Sequence, residues 1–402
     1  MEKLPYHAIL FVFTAAGVVL ALAGSGYVTI LALVGYFSRP KDRSTSVVSP
    51  KTRFVILIPA HNEEHGIGPT LDSLRAQNYP QDLQRAIVIA DNCMDNTAFI
   101  CRQAGIECWE RTDLASPGKG QALGWALKHL ALEPWEAVVF LDADTRVHSD
   151  FMIALDRAIQ AGAKTIQGSY EFELADYSCF ALLTFTTKHA ENVFWWRPRE
   201  RFARMGYVGG NGFCITREIL QLVPWTAYSI VEDLEYALEL ALRGIRVSFV
   251  ESAKVVSRTT RGIADAAPQR LRWASGTFQV MLKYLPRLLQ AAIRRRSLGL
   301  LEMAAALVLS SRIFLLYLIV AATTCSLLLG ANGIDLLLRI GVIVADSLSL
   351  CYAGMVLSQI PNVRGSRFRA LITLPAYLCM MVLVHLATAF GMGRNVWFRT
   401  TR

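Results

Sequence analysis

The sequence lacks the cysteine and histidine patterns of a zinc protein. Its eight cysteines include no CxxC pair, and none has a histidine partner at the spacing of zinc ligands. A structural zinc site is therefore not indicated, and the cysteines suit a reduced, cytosolic domain. The sequence also lacks internal repeats and low-complexity segments.

Charged residues are scarce, and acidic residues are the rarer kind. Only 18% of the 402 residues are charged, and 41 Lys and Arg outnumber 32 Asp and Glu. No basic run is interleaved with aromatic residues, so nucleic-acid binding is not indicated. A mean hydropathy of +0.35 is too apolar for an ordinary soluble enzyme. The net charge of +9 is typical of the cytoplasmic flanks of membrane segments.

The first long apolar stretch, residues 8–36, is a predicted transmembrane segment. It contains almost no charge and exceeds the roughly 20 apolar residues that a span requires. It is too long for the core of a signal peptide. Basic residues follow between positions 39 and 53, so we expect that end in the cytoplasm and the N-terminus outside. Glycines at 24 and 26 leave a helical hairpin as an alternative.

A change of pattern near residue 50 marks a different domain. Short β-rich runs alternate with helical stretches up to about residue 262. The predicted strands are "RFVILIPA", "RAIVIAD", "AVVFLDAD" and "KTIQGSYEFE". This alternation predicts an α/β domain over residues 50–262 with a largely parallel sheet. Ligands of such sheets bind beyond the carboxyl ends of the strands.

The remaining chain returns to membrane-like patterns. Residues 263–298 contain a predicted amphipathic helix on the membrane surface, because apolar positions are mixed with arginines and a lysine. Residues 299–393 are predicted to form three transmembrane helices. These lie near 302–329, 336–358 and 370–392. The basic loop before the last helix suits the cytoplasm, whereas the arginines after position 393 conflict with the external C-terminus that four spans would give.

Two carboxylates stand close together after the third predicted strand. Asp142 and Asp144 are two residues apart in "FLDADTRV". Carboxylates this close repel each other unless a cation lies between them, and Mg²⁺ or Mn²⁺ binds such oxygens and bridges to substrate phosphates. A capped turn is the alternative interpretation.

Further polar clusters follow the other strands. Glu63 lies in "PAHNEE" and Asp91 in "ADNCMDNT", where helix N-caps are an equally plain explanation. Lys119 lies between two glycines, a setting that suits contact with phosphate. The glycine-rich "GYVGGNGFCITRE" precedes Glu232 and Asp233, which open an apparent helix. A carboxylate at this position either acts as a general base or offsets the positive end of the helix dipole.

The segment "QRLRW" places two arginines and a tryptophan between the α/β domain and the apolar C-terminal region. One interpretation is an anchor at the membrane interface. The other is a site in which Arg272 holds a phosphate and Trp273 stacks on a sugar.

Taken in order, "PAHNEE", Asp91, "DAD", "VED" and "QRLRW" resemble the motif set of membrane-bound family 2 glycosyltransferases. This group includes cellulose, chitin and hyaluronan synthases, nodulation chitooligosaccharide synthases and ceramide glucosyltransferases. The resemblance covers roughly residues 52–275. One departure is "GGNGFCITRE", which differs from the pattern expected of a cellulose synthase, so the product is not specified.

The resemblance implies a GT-A nucleotide-sugar-binding domain with flanking transmembrane helices. Asp233 would be the catalytic base, with Glu232 beside it and Arg272 on the leaving diphosphate, and Asp144 would ligate Mg²⁺ or Mn²⁺. The residues implied to bind substrate are Ala60, Glu63, Asp91, Lys119, Asp142, Gly210, Asn211, Gln269 and Trp273.

The activity that the resemblance implies is inverting transfer from a UDP-sugar to a glycan or lipid-linked acceptor. The product would be a β-linked exopolysaccharide or oligosaccharide, made at the cytoplasmic face of the cell (inner) membrane by a multi-pass protein. The first alternative is single transfer to a membrane lipid. A transporter or membrane scaffold is another, with Asp346 as a lone intramembrane acid. A nucleotidyltransferase is a further alternative because it has the same type of sheet, but the segment "QRLRW" would have no role in such an enzyme.

Overall fold

The structure is a computed structural model. It describes residues 3–38, 49–174, 178–202, 206–259, 262–309, 312–329, 333–361 and 366–392. The basic residues at 39–43, Arg364 and the arginines after 393, on which the predicted topology partly depends, lie outside these ranges.

Within the described residues, eight strands form one sheet. They are β1 (Phe54–Ala60), β2 (Gln84–Asp91), β3 (Glu107–Arg111), β4 (Ala137–Phe140), β5 (Thr145–Val147), β6 (Thr165–Phe172), β7 (Phe213–Thr216) and β8 (Ser248–Ser257). The strand order is β3-β2-β1-β4-β7-β6-β8-β5. The four strands β3, β2, β1 and β4 are parallel, whereas β7 is antiparallel to both of its neighbours and β5 is antiparallel to β8. The sheet is therefore mixed rather than largely parallel.

The helices of this domain cover both faces of the sheet. They are α2 (Ile67–Arg75), α3 (Thr97–Gln103), α4 (Lys119–His129), α5 (Phe151–Gln160), α6 (Cys179–Glu191), α7 (Arg197–Phe202), α8 (Arg217–Leu222) and α9 (Glu232–Leu242), with short 3-10 turns at Gln81–Leu83 and Leu130–Leu132 and a π-helical turn at Asn192–Trp196. Because side chains alternate along a strand, Val55 and Leu57 of β1 enter the core on one face, whereas Phe54 and Ile56 enter the core on the other.

The apolar regions form long helices. They are α1 (Lys3–Phe37), α10 (Ile263–Arg295), α11 (Leu298–Leu309), α12 (Arg312–Leu328), α13 (Ile334–Ser358) and α14 (Ser366–Ala389). Helix α1 is continuous, so the hairpin alternative does not apply. Among the described residues, α1, α13 and α14 contain stretches long and apolar enough to cross a membrane. The stretch predicted as one helix near 302–329 is instead two helices, α11 and α12, whose axes differ by 79° and which together would supply a fourth span.

Helix α10 connects the α/β domain to the apolar helices and includes "QRLRW" in its first half. Its second half buries Val280, Tyr284 and Leu288, which are four residues apart and so lie on one face. That face packs beside α9, where Nζ of Lys283 lies 2.7 Å from Oε1 of Glu235. The packing fixes α10 against the helix that begins with Glu232 and Asp233.

Candidate active site

One continuous cavity of about 1590 Å³ lies beyond the carboxyl ends of β1, β2 and β4. Every site residue named from the sequence lines it. These residues are Ala60, Glu63, Asp91, Lys119, Asp142, Asp144, Gly210, Asn211, Glu232, Asp233, Gln269, Arg272 and Trp273. Ala60, Asp91 and Asp142 lie close together because they stand at or just after the ends of parallel strands, which meet at one edge of the sheet. Helix α10 closes the cavity from the other side.

Asp91, at the end of β2, is held by a buried ion pair. Its Oδ1 accepts a hydrogen bond from Arg111 at 2.5 Å, and its Oδ2 accepts one from the backbone N–H of Gly118 at 3.4 Å. Nδ1 of His61 lies 2.8 Å from the backbone oxygen of Asp91. Sequence patterns did not identify Arg111, because β3 contains no sustained apolar run. Arg111 orients Asp91, and its own side chain is only 6% exposed.

Lys119 begins α4 and lies among acidic groups. Its Nζ is 2.7 Å from Oδ1 of Asp142, 3.2 Å from Oε1 of Glu232 and 2.6 Å from the backbone oxygen of Gly210. Burial lowers the pKa of Lys119, but the carboxylates of Asp142 and Glu232 raise that pKa by more, so the ammonium stays charged. In this arrangement Lys119 neutralises carboxylates and ties the end of β4 to the glycine-rich segment.

The amide of Asn211 is directed at the protein. It is 1% exposed, its Oδ1 accepts from the backbone N–H of Asp142 at 3.2 Å, and its Nδ2 donates to Oγ1 of Thr145 at 2.7 Å. The geometry therefore gives Asn211 a part in positioning the segment that carries Asp142 and Asp144. Its direct contact with substrate stays a prediction.

Gly210 lies against the predicted base. Its φ is +71°, a backbone conformation that L-residues rarely adopt, and a Cβ there would lie 2.8 Å from Oδ2 of Asp233. Only glycine provides both the conformation and the space. The close approach explains why the glycine-rich segment precedes the acid pair.

Glu232 and Asp233 open α9 and face the cavity together. Burial raises the pKa of Glu232 to about 7, with Lys119 opposing the shift and Asp233 adding to it. Burial also raises the pKa of Asp233, again opposed by Lys119. A carboxylate with a raised pKa is a better proton acceptor than an ordinary one. Glu232 is 6% exposed, whereas Asp233 is half-buried and so is the more accessible of the two.

The residues Gln269, Arg272 and Trp273 line the cavity from α10. Burial lowers the pKa of Arg272, and the carboxylates of Glu232 and Asp142 oppose that shift. The guanidinium of Arg270 lies 5.1 Å from the ring centroid of Trp273, a cation–π distance. The tryptophan is part of the cavity wall, and its contact with a substrate stays a prediction.

The carboxylate oxygens of the cavity suit a divalent cation that also binds a substrate. No group of three or more His, Cys, Asp or Glu side chains that could bind a metal alone occurs in the described part of the chain. Asp142 and Asp144 supply carboxylate oxygens to the cavity. Mg²⁺ is commonly bound in this way, by one or two carboxylates together with substrate phosphates.

The charges of the cavity are consistent with this fit. Among the described residues, seven carboxyl groups and six lysine or arginine side chains line the cavity, so this lining has no excess of positive charge. A diphosphate would add further negative charge. Divalent cations offset such charge, and their preferred ligands are the oxygens present here.

The cavity also extends away from the carboxylates, between the apolar helices. Side chains from α11, α12 and α14 line this part. Sequence patterns did not predict it, because it depends on how distant helices pack against one another.

Comparison with known proteins identifies a family. Residues 50–276 match the model described as glycosyltransferase-like family 2. The probable glycosyltransferase YdaM of Bacillus subtilis is 26% identical over 257 residues, which cover 61% of this chain and 60% of that protein. The beta-monoglucosyldiacylglycerol synthase of Synechocystis sp. is 26% identical over 246 residues, covering 58% of this chain and 50% of that protein. The chain thus matches between half and three-fifths of the length of these relatives.

A solved structure shares the fold. Mannosyltransferase PcManGT from Pyrobaculum calidifontis, in complex with GDP-Man and Mn²⁺, superposes with a TM-score of 0.59 over 94% of this chain and 98% of that one. Sequence identity is 20%, so the likeness concerns the fold, which is the predicted GT-A arrangement.

Proposed function

Since the chain belongs to the glycosyltransferase-like family 2, whose model matches more than half of it, we propose that it is an inverting, UDP-sugar-dependent glycosyltransferase. The observation that carries the proposal is the arrangement of one cavity. The acid pair on α9 faces the strand-end carboxylates there, and Arg272 approaches from α10.

In the proposed reaction, Asp233 removes the proton from an acceptor hydroxyl. The resulting oxygen forms a bond to the anomeric carbon from the face opposite the diphosphate. The bond from that carbon to the diphosphate oxygen breaks, and UDP leaves with the electron pair. The raised pKa of Asp233 suits it to accept the proton.

The other residues bind and orient the reactants. Arg272 pairs with the diphosphate as negative charge develops on it. Lys119 holds Asp142 in place and, through the backbone oxygen of Gly210, also the glycine-rich segment. Asp144, with Asp142 beside it, would hold Mg²⁺ or Mn²⁺, which when bound offsets the charge of the leaving diphosphate. Gln269 and Trp273 would contact the acceptor side.

The acceptor defines the product. A glycan acceptor, free or lipid-linked, gives the β-linked exopolysaccharide or oligosaccharide that the motif resemblance implies. A membrane lipid is the second candidate acceptor, and the apolar wall that α11, α12 and α14 add to the cavity favours it. Either acceptor fits a multi-pass protein of the cell membrane with residues 50–262 as its cytoplasmic GT-A domain.

The proposal is tested with purified protein in lipid nanodiscs and a panel of radiolabelled UDP-sugars. Extraction then separates lipid-soluble product from polymeric product. We expect one UDP-sugar to give labelled product that requires the enzyme and a divalent cation. The absence of product from every UDP-sugar, with GDP-sugars accepted instead, would contradict the choice of donor.

A further inference from the structure

The cavity is larger than one donor molecule requires. Pockets that bury a single small ligand measure roughly 300–1,000 Å³, whereas this cavity measures about 1590 Å³. Lys119, Arg272 and the acid pair of α9 cluster at one end of it. The space beyond them is continuous with the catalytic end, so a second molecule placed there would reach Asp233.

Side chains of three helices line this second space, which we call the apolar half. They are Leu307 and Val308 of α11, Phe314 and Tyr317 of α12, and Tyr377, Met381, His385, Thr388 and Ala389 of α14. Five of these nine side chains have no hydrogen-bonding group. Helix α14, and α11 with α12 as a pair, are apolar enough to lie in a bilayer. The apolar half therefore lies among helices that lipid chains would contact.

Of the four side chains of the apolar half that can form hydrogen bonds, three are already bonded to the backbone. Oγ1 of Thr388 donates to the backbone oxygen of Val384 at 2.9 Å. The hydroxyl of Tyr317 donates to the backbone oxygen of Val382 at 3.2 Å, and Nδ1 of His385 lies 2.7 Å from the backbone oxygen of Met381. Sugar hydroxyls placed here would lose hydrogen bonds to water and find few replacements. An alkyl chain would lose none and would gain from leaving water.

We propose that the acceptor is an amphiphile whose apolar chain occupies the apolar half while its hydroxyl lies at Asp233. This inference rests on the proposed function and narrows its acceptor. The apolar chain of this acceptor belongs either to a simple membrane lipid or to the lipid anchor of a glycan. A free, unanchored oligosaccharide would be a poor acceptor.

The test uses alkyl β-glucosides as probe acceptors, from methyl to octyl to dodecyl, kept below the concentrations that disrupt the nanodiscs. UDP release from the preferred UDP-sugar is the readout. Burial of a methylene is worth about 0.8 kcal/mol, so each added methylene that enters the cavity should lower the half-saturating concentration about fourfold.

Two tryptophan variants separate binding in the cavity from partition into the bilayer. Met381→Trp fills the apolar half, whereas Leu383→Trp adds the same side chain at a position that is 60% exposed on the same helix and does not line the cavity. Partition of the probes into the disc is the same for all proteins. We expect Leu383→Trp to behave like wild type and Met381→Trp to lose at least tenfold in response to dodecyl glucoside. UDP affinity, which depends on the other end of the cavity, should not change in either variant.

The outcomes distinguish the two proposals. If wild type releases UDP equally well with methyl and dodecyl glucoside, or better with longer soluble oligosaccharides, the apolar-chain inference is wrong while transferase activity stands. If no donor yields UDP with any acceptor, the proposed function itself fails. Retained UDP affinity reports correct folding of Met381→Trp, and Val308→Phe on α11 provides a second filling variant should that affinity be lost.

Discussion

Substitution of Gly210 by alanine should disable the enzyme mainly by moving its base. The added Cβ would lie 2.8 Å from Oδ2 of Asp233, so the two atoms must separate by about 0.6 Å to reach an ordinary contact of 3.4 Å. A displacement of 1 Å at a reacting group costs about 10²-fold in rate, so roughly tenfold or more is expected here. Because alanine disfavours a φ of +71°, the variant should also be less stable than wild type by roughly 1–2 kcal/mol.

Gly105→Ala is the matched control. Gly105 has a similar φ of +66°, and a Cβ added there meets nothing within 4 Å. Both variants should therefore lose similar stability in thermal unfolding, whereas only Gly210→Ala should lose kcat in the UDP-release assay. Equal activity of the two variants, once each is corrected for its folded fraction, would refute the idea that Gly210 makes room for the base.

Three further predictions concern the cavity. Asp144→Asn should weaken metal-dependent UDP binding, and EDTA should abolish transfer. Full activity in the presence of EDTA would show that Asp144 does not hold an essential metal ion. Burial raises the pKa of Glu232 to about 7, so the stability that this group contributes is present below its unfolded pKa of about 4.3 and is lost as pH rises through about 7. The melting temperature of wild type minus that of Glu232→Gln should therefore fall between pH 5 and pH 8, and a constant difference would show an unperturbed carboxyl. Trp273→Ala should impair acceptor kinetics several-fold while UDP binding persists, and Trp273→Phe should recover part of the loss. If well-folded Trp273→Ala shows wild-type acceptor kinetics, Trp273 is an anchor at the membrane interface instead.

Much of the catalytic end could be predicted from the sequence because its residues lie at strand ends. Asp91 and Asp142 follow continuous apolar runs of the length typical of buried strands, and parallel strands place such ends together. The family resemblance then supplied the roles that we propose for Asp233 and Arg272. Local pattern and a known motif order were sufficient for these positions.

The sequence did not reveal features that depend on short strands or on distant packing. Strand β5 has three residues and β7 has four, too few for a periodic signal, so the antiparallel part of the sheet went unpredicted. Arg111 lies on β3, whose half-exposed residues resemble a loop. The apolar half of the cavity requires α11, α12 and α14 to converge, and no local pattern encodes that convergence.

The most direct test of Asp233 as the catalytic base is the substitution Asp233→Asn. This change removes the proton acceptor and keeps the shape of the side chain. UDP affinity and UDP-dependent transfer should be measured on the same preparation in nanodiscs. We expect UDP affinity near that of wild type, with transfer reduced by about 10²–10⁴-fold, the contribution typical of a general base. Near-normal turnover in a variant that binds UDP normally would contradict the assignment of Asp233 as the base.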